Sequence, residues 1–259
     1  MVPPWVPNVP DADQDAQPDA DGGPDQSPPP PAQVAPPARF KSARTSLGRF
    51  ARSGSTNDMR RGIGHYVRTG LGGARSASRR LGNTARTASS LYAALSAVAQ
   101  GQAPTPGSPL DPALLSGRSA KEVMDAVVEA VRPVDGTQDS EANRDAVAKA
   151  LGEVLNRYPD ADLLNLTDEA RLFAVERFVA IDVYNRFRLD VGKHIQDNAP
   201  SISATLSRLR EVKEYIKEQV QACFRRMVSR GQQMNVRNVG QIVKTALQDT
   251  LFVFEEYVR

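Results

Sequence analysis

Histidine and cysteine are nearly missing: two histidines and one cysteine occur in 259 residues. Neither His65 nor His194 stands in a repeated ligand spacing, so no metal centre and no cofactor are expected. The lone Cys223 excludes an intramolecular disulfide and fits a reducing compartment. Placed beside Phe224 on the apolar side of a predicted helix, it reads as a buried, inert thiol. No run of eighteen apolar residues is present, so no transmembrane helix is expected. The opening "MVPPWVPNVP" has neither the basic start nor the apolar core of a signal peptide, and a cytoplasmic location follows. Strand-like alternation of useful length is also lacking, which leaves an all-α fold.

Phosphate-binding loops are absent in their usual forms. Gly62 with Gly64, and Gly70 with Gly72, begin a dinucleotide fingerprint, but its third glycine is replaced by Val67 and Arg75. There is no Gly-Lys-Ser/Thr ending of a Walker loop.

What is present is uneven charge. Residues 1–38 hold six Asp, no Lys or Arg, and twelve of the nineteen prolines, a composition too polar to offset chain entropy by burial. An acidic, disordered leader is expected there. Residues 39–100 carry twelve Lys or Arg against Asp58 alone, and the rest of the chain is nearly balanced. The pI near 9.1 therefore reports one basic segment. Residues 101–118, with "QGQAPTPGSPLDP" at their core, read as a linker, and 119–259 as a helical domain able to fold by itself.

Helix signals are strong after the linker. Ser119 and Glu122 form a capping box ahead of Val123, Val127, Val128 and Val131, and Pro133 ends that helix. A second helix is predicted from Ser140 to Tyr158, with Val147, Leu151, Val154 and Leu155 inward. Thr167 caps a long helix from Asp168 to about Asp197, whose inward set runs from Leu172 through Phe178, Asp182, Arg186 and Phe187 to Val191. Being apolar over much of its circumference, this helix belongs at the centre of an irregular bundle. Two more follow. One runs from Ser201 to Arg230 with Leu206, Leu209, Val212, Ile216, Val220, Cys223, Phe224 and Met227 inward, and the last begins near Asn235 with Val236, Val239, Val243, Leu247, Leu251 and Phe254 inward.

The basic segment has its own pattern. Arg61, Arg68 and Arg75 recur every seven residues, and Arg79, Arg80 and Arg86 follow, so a helix would gather arginines along one side. Ala74, Ala77, Leu81, Ala85, Ala88, Leu91 and Leu95 form a thin stripe on the other. Gly62, Gly64, Gly70, Gly72, Gly73 and Gly82 each cost about 1 kcal/mol relative to Ala in a helix interior, so a partner is expected to order this arm. The six arginines are the candidate partner- or phosphate-binding residues. They could dock on an acidic protein surface or neutralise nucleic-acid phosphates. Only Phe40, Phe50, Tyr66 and Tyr92 are interleaved for stacking, which makes base reading weak, and the mostly alanine stripe does not suit a membrane.

Catalytic constellations are not found. Asp190 and His194 read as a surface pair, Asp160 with Asp162 as turn residues, Asp168 with Glu169 as a helix-dipole complement, and Glu255 with Glu256 as a solvated face. No Ser, His and Asp set lies in a nucleophile-elbow context, and a non-enzyme is expected.

Four stretches carry a resemblance: "RFKSARTSLGRFARSG", "RRGIGHYVRTGLGGARSASRRLGNTARTASSLYAALS", "GSPLDPALLSGRSAKEVMDAVVEAVRPVDGTQDSEANRDA" and "YPDADLLNLTDEARLFAVERFVAIDVYNRF". Together they span about residues 39–230 and resemble the QatB component of Qat anti-phage defence systems. The resemblance implies a non-catalytic member that binds, or is the protein substrate of, a QueC-like enzyme (QatC), within a system that also encodes an ATPase and a TatD-like nuclease (QatD). It further implies a Gly/Ser-rich leader whose glycine follows the initiator Met and receives a nucleobase. Val2 follows Met1 here, so no modified residue is assigned. The alternative function is a nucleic-acid-binding protein that brings DNA to the nuclease.

Overall fold

The computed structural model describes residues 38–258 apart from residue 106, so the acidic leader up to residue 37 lies outside the described residues. Helices form where local signals ask for them. The first is α1 (Lys41–Ser53), which closes on Gly54 in the left-handed region. Ser55 then caps α2 (Thr56–His65), accepting from the Asp58 N–H. A π-helical turn, Tyr66–Gly70, extends α2, and α3 (Ala74–Arg80) and α4 (Gly82–Val98) follow.

The predicted linker contains a short helix, α5 (Pro112–Leu115), and seats Leu110 in the core. The capping box of Ser119 and Glu122 starts α6 (Ala120–Val131), Thr137 starts α7 (Gln138–Arg157) and Thr167 starts α8 (Asp168–Phe187). The continuous helix expected to Asp197 is interrupted by a second π-helical turn, Arg188–Gly192, before α9 (Lys193–Asn198). Ser201 caps α10 (Ile202–Ser229), and α11 (Val239–Glu256) ends the described chain. No strand occurs among the described residues.

The position of α8 follows from its sequence. Its buried residues include Ala174, Val175, Phe178, Val179, Ile181, Val183 and Phe187, which cover most of its circumference, and α4, α7 and α10 pack around it. Burying each large apolar side chain contributes about 1.5–3 kcal/mol, so this helix is the main anchor of the core. Two charged residues, Glu176 and Arg177, are buried on it. Arg177 lies over the Phe173 ring at 4.5 Å and reaches Glu153 of α7 at 3.6 Å, while Lys217 of α10 meets the same Glu153 at 2.9 Å. Two inward assignments fail at helix ends: Leu206 and Val236 are exposed, the latter because it precedes the first turn of α11.

The basic segment is not an arm beside a separate core. Phe40, Leu47, Phe50, Met59, Ile63, Val67, Leu91 and Leu95 belong to the same buried cluster as Phe178, Phe224 and Phe254. Helix α11 packs against α2, α3 and α4, and α1 packs against α9. The glycines explain the difference. A methyl group at Gly64 would stand 2.9 Å from the Phe254 carbonyl oxygen, and one at Gly62 would stand 2.5 Å from Leu47 Cδ2. These glycines therefore let helices approach closely, and the partner that orders the segment is the rest of the chain.

Candidate partner-binding surface

The candidate arginines sit on three helical pieces whose joints are built by tertiary contacts. The π-helical turn and the bend at 71–73 break the helical phase between Arg68 and Arg75, and a second break at Leu81 separates Arg80 from Arg86. Gly73 turns the chain with φ of 88°, and the N–H of Ala74 at the start of α3 donates to Glu255 Oε2 at 2.9 Å. Glu255 is thus a helix cap in trans, where the sequence suggested a solvated face. Further on, Thr84 donates to Asp182 Oδ2 at 2.5 Å and ties the start of α4 to α8.

All six candidates are exposed. They do not lie on one continuous helix, because the π-helical turn and bend at 66–73 and the break at Leu81 divide the segment. Arg61 and Arg68 share the surroundings of His65, with Arg49 close by. Burial first, then the positive charges of Arg61, Arg68 and Arg49, hold the His65 pKa below its ordinary value. Arg68 also donates to the Val258 carbonyl at 2.6 Å, and Arg86 donates to Asn83 Oδ1 at 2.7 Å, so each has a structural task. Arg75 and Arg79, four apart on α3, share one exposed face and make no ion pair among the described residues.

Arg80 faces a different direction. It joins Arg39 and Arg186 around a cleft of about 290 Å³, with Leu71, Leu81 and Asp190 completing the lining. Sequence reasoning overlooked Arg39, Arg186 and Asp190 as site residues. The signal available was a charged Asp182 and Arg186 inside an otherwise apolar α8 stripe. The expected pairing of Asp190 with His194 is not made: Asp190 accepts from the Tyr66 hydroxyl at 2.8 Å, and His194 lies 3.4 Å from Asn198. Tyr66 is buried, and burial followed by the adjacent Asp190 carboxylate raises its pKa well above the usual value, so its hydroxyl keeps its proton and donates.

The remaining chemistry is sparse. Cys223 is buried with Arg226 Nη2 2.9 Å from its sulfur. Asp162 accepts from the Leu164 N–H as a turn residue. Among the described residues no cluster of His, Cys, Asp or Glu is arranged to hold a metal ion, and no helix is long and apolar enough to cross a membrane.

Comparison with known proteins gives one result. Neither a curated protein nor a solved structure matches the chain. Residues 72–254, from the bend before α3 almost to the end of α11, match the family described as Qat anti-phage system associated protein QatB. The matched region holds α3, α4 and α8, the helices that carry Arg75, Arg79, Arg80, Arg86 and Arg186, and the chain belongs to the QatB family.

Proposed function

We propose that this component of a Qat anti-phage system acts without catalysis, in the cytoplasm, as the docking partner or protein substrate of the system's QueC-like enzyme, with the ATPase and the TatD-like nuclease as further partners. The observation that supports this reading is the α3 face. Arg75 and Arg79 project from a short helix whose first turn is capped by Glu255, and among the described residues they carry no counter-charge. Unpaired cations on one helix face favour an acidic protein surface, because complementary charge speeds encounter and fixes register. The family match supports membership of the system, and the enzyme partner follows from the resemblance in the sequence.

Co-purification of the chain with the QueC-like protein, for the parent and for Arg75→Glu with Arg79→Glu, tests the reading. The double variant is expected to lose the complex and phage protection while melting at the parental temperature, since both side chains are exposed and make no ion pair among the described residues. Retention of the complex would sink it. The nucleic-acid reading is separated by salt: five phosphate contacts would give a log–log slope of about −4.5, whereas a packed protein interface is much less steep.

A further inference from the structure

We propose that the cleft between α1, α3 and α8 is a binding site for a phosphoryl dianion, either free phosphate or the phosphomonoester of a nucleotide. Three guanidinium groups from distant parts of the sequence converge on it: Arg39 precedes α1, Arg80 ends α3 and Arg186 lies on α8. Among the described residues Asp190 is the acid in this lining, and Asp182 lies with Arg80 and Arg186 in the adjoining recess, so the guanidinium groups outnumber the carboxylates.

The geometry is preorganised. Arg39 lies 4.5 Å over the Phe40 ring, Phe40 stacks on Tyr66 at 5.6 Å, and Tyr66 meets Phe187 edge-on at 5.1 Å. That aromatic column carries Arg39 at one end, and the Tyr66 hydroxyl holds Asp190 beside it. Arg186, next to Phe187 on α8, makes contacts of its own within the fold. A ligand therefore meets two guanidinium groups, those of Arg39 and Arg186, that already have contacts within the fold, which lowers the side-chain order lost on binding.

The residue types select the ligand class. A planar guanidinium offers parallel N–H donors that match two oxygens of a phosphoryl group, and three such groups around one space suit a compact, doubly charged anion. At about 290 Å³ the cleft holds a phosphoryl group together with part of what it is attached to. Leu71 and Leu81 supply apolar walls for an attached ring. Asp190 sets a limit at the rim: it repels a second anionic group, which disfavours a polyanionic strand, and it can accept from a ligand hydroxyl. Below the cleft rim, a narrower recess that shares Arg80, Leu81 and Arg186 reaches the first turn of α4, a helix start without a side-chain cap.

This site is separate from the docking reading, because Arg75 and Arg79 do not line it. Calorimetric titration of the full chain with inorganic phosphate and with adenosine monophosphate, at constant ionic strength in sodium chloride, is the test. Saturable binding of either probe is expected. Tighter binding of the nucleotide assigns the site to a nucleoside phosphate, and equal affinity assigns it to the bare phosphoryl group. Arg80→Gln and Arg39→Gln should each weaken binding at least tenfold, about 1.4 kcal/mol, with melting profiles confirming the fold. Arg237→Gln, which removes the same charge from an exposed position outside the cleft, should leave affinity unchanged. No binding above the chloride background, or equal weakening by Arg237→Gln, would overturn the proposal.

Discussion

Replacing Gly64 by alanine should destabilise the protein, although the same change elsewhere in a helix should stabilise it. Gly64 lies in α2, where alanine ordinarily gains about 0.5–1 kcal/mol through helix propensity and a less flexible unfolded chain. The added Cβ would meet the Phe254 carbonyl oxygen at 2.9 Å, Val258 Cγ1 at 3.0 Å and Tyr257 Cβ at 3.3 Å. The first of these is backbone within α11 and cannot rotate away, so α2 and α11 must separate. Overpacking of this kind costs about 1–3 kcal/mol, and the net loss is about 1 kcal/mol. For a chain of this size that lowers Tm by roughly 2–4 °C. Gly152, in the middle of α7, is the internal control: a Cβ there meets nothing within 4 Å, so Gly152→Ala should raise Tm by ~1–4 °C. Parallel thermal and urea unfolding of the two variants reads the difference directly. If Gly64→Ala stabilised as much as Gly152→Ala, α2 would not be pressed against α11, and the basic segment would be an arm after all.

Two further outcomes follow from the same packing and charge arrangement. A fragment of residues 102–259 loses the helices that cover α8 and α11, so it is expected to melt without cooperativity and to bind a hydrophobic dye; a sharp transition at the full-length temperature would refute the single core. His65 has a folded pKa below 6.5, so the unfolded chain takes up its proton first and stability falls as pH drops from 6.5 towards the folded value. His65→Gln should flatten that part of the stability–pH curve in urea titrations, and an unchanged slope would assign the acid sensitivity to other groups.

Much of the helical order was legible in the residues because its causes are local. Ser119 with Glu122, Thr167 and Ser201 act on N–H groups two or three positions away, and a stripe such as Val147, Leu151 and Val154 needs only the helical repeat to share a face. The crowded apolar circumference of α8 likewise announced a central position, since such a helix can satisfy itself only by burial on all sides. The same reasoning misread the basic segment. Its glycines have a local cost in a helix, and that cost was all the sequence could express.

The family, the all-helical class and the central helix were therefore determined by the sequence itself, through phrases, caps and periodicity that act within a few residues. Tertiary structure alone decided the rest. Gly64 is a contact point because Phe254 arrives from the far end of the chain, Glu255 is a cap because α11 ends beside Ala74, and Arg39, Arg80 and Arg186 line one cleft because the fold brings the start of α1, the end of α3 and the last turn of α8 to one space. Each of these depends on residues more than a hundred positions apart being brought together by burial of the common core, an interaction without direction or local period and so without a mark that any single stretch can carry.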